Sequence, residues 1–249
     1  MIDQCDIETI YRRVDEYWTQ TLKKEGQSFF DIASGKEGGH QLSDRVDQLT
    51  TEIIHSSFPM RSGFQHTKGR ANSRSMGDIW FRNGNGEWNP VNVKTGLVGS
   101  EGQPNIVSLK RVMSSIFEHS IDSYYLLFVK FAIDAAGKSI SHHVYFVDLL
   151  DWIVLSGKKS VVTFNAGPGQ MMLRASRFFD LLSDGFQPKV SPIRAKVKAL
   201  MDLYLLGERN LIRDRQKDRK KYKAVYDGFM KERQPFSIDI NRQMEFEIR

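Results

Sequence analysis

The 249 residues are 40% hydrophobic, 11% aromatic and 27% charged, with 7 prolines, which suits one large or two small soluble domains and excludes a disordered or fibrous chain. No apolar run is long enough to cross a bilayer, and a single cysteine, Cys5, excludes an internal disulfide and a cysteine-based zinc cluster. The net charge of +6 and a pI near 9.3 invite a polyanionic partner.

The opening "MIDQCDIETI" has neither a basic n-region nor an apolar h-region, so a cytoplasmic chain is expected. Ile7, Ile10, Tyr11, Val14, Tyr17, Trp18 and Leu22 recur at three- and four-residue spacings, which predicts an amphipathic helix ending at Gly26. After the loop "GKEGGHQLS", Ser43 or Asp44 can cap a second helix running to Ser57 and stopped by Pro59. A basic run, "RSGFQHTKGRANSR", leads into a predicted hairpin: a strand over 77–82, the turn "NGNG", and a strand over 88–95. Asn105 is placed to cap the helix "IVSLKRVMSSIFEH". "YYLLFVKFAI" is apolar and β-rich nearly throughout, as a strand covered on both faces should be, and "SHHVYFVDL" is its expected partner. A short helix "LLDWIVL" and a strand–loop–strand over "SVVTFNAGPGQMMLRAS" follow. Beyond Ser191 the pattern is helical to about Lys231. From Lys189 to Lys223 twelve Lys/Arg face four acids, which fits either a solvated face or a polyanion contact. The order of elements predicts a mixed α/β sheet with flanking helices rather than regular βαβ alternation. One compact domain, 1–249, is expected, with N-terminal helices over 1–58 and a basic C-terminal helical arm or subdomain over 191–234.

In the hairpin, "SMGDIWFRNGNGEWNPVNVKTG", two polar groups stand where an inner face wants apolar ones: Asp78 after a glycine, and Lys94 between Val93 and Thr95. Adjacent strands can bring both to one point. Phosphodiester hydrolysis needs a divalent cation to offset charge on the phosphoryl oxygens and acidify the attacking water. Magnesium takes oxygen ligands, usually one or two carboxylates and the substrate phosphate, while a lysine can orient the nucleophile or stabilise developing charge. The pattern that meets those needs is an Asp on one strand followed, about ten to twenty residues later, by Asp/Glu-x-Lys on the next; here Asp78 is followed by Asn92-Val93-Lys94. A surface hairpin with a cross-strand ion pair accounts for the same residues. His142 and His143, adjacent in a strand, must point to opposite faces and do not share a metal.

"VNVKTGLVGSEGQPNIVSLKRV" and, farther on, "TFNAGPGQMML" resemble the blunt-cutting type II restriction endonucleases of the PD-(D/E)xK class, in order and spacing from Arg61 to Leu205. The resemblance implies a restriction-endonuclease-like mixed β-sheet flanked by helices, a Mg2+-dependent site-specific deoxyribonuclease, and a homodimer acting on a short palindrome of double-stranded DNA, with no nucleotide cofactor and no membrane partner. It implies that Asp78 binds metal and that Lys94 is the catalytic lysine. It further implies that Gln103 and Asn105 meet DNA near the centre of the site, and that Asn165, Gly169 and Gln170 form the base-reading element. Asn and Gln amides can make bidentate contacts to adenine, although "NAGPGQ" also suits a plain β-turn. Lys110, Arg111, Lys68, Arg70 and Arg74 are candidates for phosphate contact on charge alone. The family has a carboxylate where this chain has Asn92, the expected second metal ligand. Three explanations stay open: an Asp-to-Asn inactivated form, a site completed by Glu52 or Glu101, or a site that is not catalytic. A repair or structure-specific nuclease and a DNA-binding protein without catalysis are the alternative functions.

Overall fold

The computed structural model describes residues 4–25, 46–54, 56, 65–68, 76–82, 88–97, 104–133, 140–155 and 159–232. They form two compact units, residues 1–205 and 206–249. The "NGNG" turn, Gln103, Glu101, Arg70, Arg74 and the capping candidates Ser43 and Asp44 lie outside the described residues.

In the first unit, α1 (Gln4–Glu25) carries Ile10, Val14 and Trp18 on one fully buried stripe, as their spacing predicts. Trp18 meets Phe131 edge-on at 5.2 Å and donates its indole N–H to Thr50 Oγ1 at 3.3 Å. Thr50 belongs to α2, over residues 46–54. The main sheet has the order β1-β2-β3-β5-β6. Its strands are β1 (Gln65–Lys68), β2 (Ile79–Arg82), β3 (Trp88–Leu97), β5 (Tyr125–Ile133) and β6 (Ile140–Asp148). All neighbours are antiparallel except β3 and β5, which run parallel with Lys94 opposite Phe128. A parallel pair needs a crossover, and β4 (Asn105–Ser108) with α3 (Leu109–Phe117) supplies it. The fold is thus mixed α/β, a mixed sheet flanked by helices.

Alternation along the strands separates two cores. Ile79, Val91, Val93, Tyr125, Leu127, Val129 and Phe131 pack with α1 and α2 on one face. Leu126 and Phe128 pack on the other, with α3, with α4 (Leu149–Ile153) and α5 (Ala175–Ser183), and with the start of α6 (Ile193–Glu232). β5 is buried on both faces, as its unbroken apolar run requires. The same second core backs a three-stranded antiparallel sheet, β4-β8-β7, built from β7 (Val162–Asn165) and β8 (Gln170–Leu173).

Three local readings change. Asn105 does not cap a helix: it opens β4 opposite Met172, because pairing with β8 recruits 105–108 as a strand. The helix starts at Leu109, whose N–H goes to the Gly169 carbonyl at 3.2 Å, while Ser108 makes no side-chain capping bond. Part of the basic run before the hairpin forms β1, a pairing its composition does not announce. And α5, with Phe178 and Phe179 in the core, has no counterpart among the expected elements. The first turns of α6 belong to the first unit, where Lys196 is buried and Leu200 sits in the core. Lys196 is therefore not one of the cations free to meet a polyanion.

The second unit contains the rest of α6. It exposes Tyr222, Val225, Tyr226 and Phe229 among its basic side chains. Among the described residues, no helix is long and apolar enough to cross a membrane.

Candidate active site

Gly77 sets up the site. A Cβ there would lie 3.0 Å from Ile79 O, Pro90 Cβ and Val91 N, two of them backbone atoms that cannot yield, so only glycine lets the chain press this closely on β3. The next residue benefits directly. Asp78 donates its N–H to the Val91 carbonyl at 2.8 Å, and its Oδ2 accepts the Val93 N–H at 2.7 Å. The carboxylate is therefore fixed on β3 between Asn92 and Lys94. Its Oδ1 makes no hydrogen bond among the described residues and is not buried.

Asn92 and Lys94, two apart on β3, share the face opposite Val91 and Val93. Asn92 is only 7% exposed; its Nδ2 donates to the Ile106 carbonyl on β4 at 3.3 Å, and its Oδ1 is buried with no hydrogen-bond partner among the described residues. Lys94 is half-buried and forms no ion pair among the described residues.

Tyr124, which sequence reasoning treated only as the start of a strand, belongs to this cluster. Its hydroxyl is fully buried and donates to the Met76 carbonyl at 2.6 Å, holding the segment that leads into Asp78. Burial, and after it the Asp78 charge, push this phenol well above the usual tyrosine range, against a smaller opposing pull from the Asn92 amide. The hydroxyl thus stays a donor. Nothing in "DSYYLLF" marks it, because its role depends on a partner 48 residues away.

Of the expected DNA-facing residues, Asn105, Asn165, Gly169 and Gln170 lie on one small sheet and its turn. Asn165 and Gln170 are paired across β7 and β8, Gln170 lies opposite Ser108 of β4, and Asn105 lies farther along β4. Gly169, at φ 71°, makes the turn that a side chain would strain, and its carbonyl bonds the first amide of α3. Asn105 and Asn165 are exposed and Gln170 is half-buried, with no side-chain hydrogen bonds among the described residues. Ile106 ties this small sheet to Asn92, so β4 joins both sets of candidates. Lys110 is exposed over the Tyr204 ring at 5.7 Å.

Glu52 is not brought to Asp78 in this way. It is exposed on α2, where its Oε1 accepts from Gln48 at 3.0 Å. α2 packs on the face of β3 that bears Val93, with Asp47 Oδ1 accepting from Thr95 at 2.8 Å. Among the described residues no group of three His, Cys, Asp or Glu side chains could share a metal. The expectation that Glu52 replaces the missing carboxylate therefore has no support in the arrangement, because its helix lies on the opposite side of the strand. His142 and His143 diverge as predicted: His142 meets Asp15 of α1 at 3.0 Å, and His143 faces solvent.

No family model matches this chain, and a search of curated proteins returns no match.

Among the described residues two oxygens, Asp78 Oδ1 and Asn92 Oδ1, lack hydrogen bonds, and the second is buried, where an unpartnered oxygen costs free energy. That is the donor set a hard divalent cation prefers, with one negative charge instead of two.

Proposed function

We propose that the chain is a magnesium-dependent endonuclease of the PD-(D/E)xK kind, with a restriction-endonuclease-like fold, that cuts both strands of DNA at a short palindrome. The observation carrying this reading is the Asp78 carboxylate held at 2.7 Å on the amide between Asn92 and Lys94. Asp78 and Asn92 would hold the ion, which when bound offsets charge on the phosphoryl oxygens and acidifies the attacking water. Lys94 orients that water for in-line attack on phosphorus and stabilises the charge that develops. The Met76–Tyr124 hydrogen bond keeps Asp78 in place. The products are 5′-phosphate and 3′-hydroxyl ends, blunt by the family resemblance. Asn105, Asn165 and Gln170 present unclaimed amides for reading bases, and two symmetric strands call for two copies of the chain.

Asn92→Asp restores the second charge and is expected to raise magnesium-dependent cleavage of phage DNA by about 100-fold or more, given that one well-placed charge near a reacting phosphate is a matter of about 3 kcal/mol. Sequenced fragment ends clustering at one motif support a restriction enzyme. Ends scattered without a motif favour a structure-specific nuclease.

One observation favours a second reading, a sequence-specific DNA-binding protein without catalysis. Asn92 Nδ2 donates to the Ile106 carbonyl, a contact that a carboxylate cannot make. Such a protein would bind a defined site with steep salt dependence and leave DNA intact in magnesium or manganese, as purified and as Asn92→Asp.

A further inference from the structure

A cavity of about 360 Å3 opens where β6 ends beside the first residue of β5, within the size range of small-molecule sites. Its walls include Tyr125, Phe146, Trp152 and Leu182, with Asp148 and Asp151 among them. The Tyr125 and Phe146 rings lie stacked at 5.3 Å and 7°.

The two carboxylates differ in what they hold. Asp148 is saturated: Oδ1 accepts the N–H of Leu150 at 3.0 Å and of Tyr124 at 3.3 Å, and Oδ2 accepts Lys196 Nζ at 2.8 Å. Asp151 is 7% exposed; its Oδ1 accepts the Ser191 N–H at 2.8 Å and lies 3.3 Å from Lys196 Nζ, while its Oδ2 makes no hydrogen bond among the described residues. Among the described residues one ammonium thus stands against two carboxylates in a largely apolar surround, one negative charge more than it can match. Burial raises the Asp148 pKa in spite of Lys196, and the Asp151 charge adds a smaller push in the same direction. A buried charge of that kind is costly unless something pairs with it. A divalent metal is a poor candidate, because it needs about six oxygens and the surrounding walls are mainly aromatic and aliphatic.

We propose that this cavity binds a small organic cation, a primary ammonium or amidinium carried on a flat apolar body, with the charge on Asp151 Oδ2 and the body against the aromatic wall. The pairing brings the cluster to neutrality, and the rings favour a cation or its aromatic body over a neutral polar ligand. The inference does not depend on whether the β3 site cuts DNA.

The probe is benzylamine, titrated calorimetrically into the full-length protein, with benzyl alcohol as the neutral match. Saturable binding is expected, about tenfold or more tighter for benzylamine, since a hydrogen bond to a charged group contributes about 1.5–3 kcal/mol. Asp151→Asn keeps the Oδ1 acceptor and the shape, and should erase the preference. Leu182→Trp, which fills the apolar side, should abolish binding of both probes and keeps the test decisive if Asp151→Asn fails to fold. Equal affinity for the two probes, no saturable heat, or a preference that survives in Asp151→Asn overturns the proposal.

Discussion

Asn92 carries two opposed demands. Its nitrogen is spent on a backbone carbonyl of β4, while its oxygen is buried and has no hydrogen bond among the described residues. Replacing it with Asp sets a buried carboxylate against the Ile106 carbonyl and beside a second carboxylate. In metal-free solution Asn92→Asp should therefore lose about 1–3 kcal/mol of stability. If the site takes magnesium, an ion bound by the folded form alone should return that stability by mass action. Thermal unfolding with EDTA and with magnesium checks both halves; a variant that magnesium does not stabilise argues against a metal at this position. Tyr124→Phe isolates the other constraint. It leaves the Met76 carbonyl without its 2.6 Å donor, so a loss of about 1–2 kcal/mol is expected, together with weaker magnesium binding through a less firmly held Asp78. Retained affinity in a destabilised protein would make Tyr124 structural only.

Between elements, α6 makes a buried charged contact to β6 and α4. Lys196 is 2% exposed and ties the Asp148 cap to Asp151. Burial lowers the pKa of its ammonium, but the two carboxylates more than offset this and leave it raised. Its contribution is therefore complete at neutral pH and is lost only as alkaline pH passes the raised value. Lys196→Met strands two buried carboxylates, and a loss of about 3–5 kcal/mol at neutral pH is expected. Asp148 already has a raised pKa and would rise further without its cation. The native variant then binds protons more tightly than the unfolded chain, so acidification from neutral pH should narrow the gap to wild type. Urea unfolding at several pH values measures this; a gap that stays constant would show that both carboxylates remain ionised. The sequence placed α1, β2, β3, β5–β8 and most of α6 because their signals are local: helical spacing, alternation, Gly-rich turns. It could not place α5, β1 and β4, whose states are decided by partners. "NIVS" is a strand only because β8 lies beside it. Lys196 is likewise indistinguishable, in sequence, from the solvated lysines that follow it.

At the scale of the whole molecule, the approach of Asp78 to β3 is local in origin, because Asp78 directly precedes a strand that pairs with β3, whereas Tyr124 and the cluster around Asp151 arise from long-range packing. The division after Leu205 separates these sites from the basic part of α6. From Arg209 to Lys223 that helix carries eight Lys/Arg against Asp214 and Asp218. If DNA is the partner, this segment contributes affinity through phosphates rather than through base choice. A chain ended after Asn210 should keep the cooperative unfolding of the first unit, with Tm within about 4 °C of the full chain. A helix lying along a duplex turns about half of its cations to the phosphates, and each neutralised phosphate adds about 0.9 to the slope of log K against log salt. The truncated chain should thus bind nonspecific DNA more weakly, with a slope shallower by about 3, while its preference for a cognate site over random DNA changes little. Fluorescence anisotropy across a salt series measures both quantities. An unchanged slope would remove the α6 segment from the DNA-binding surface, and a lost preference would assign it to base reading instead of β4 and the β7–β8 turn.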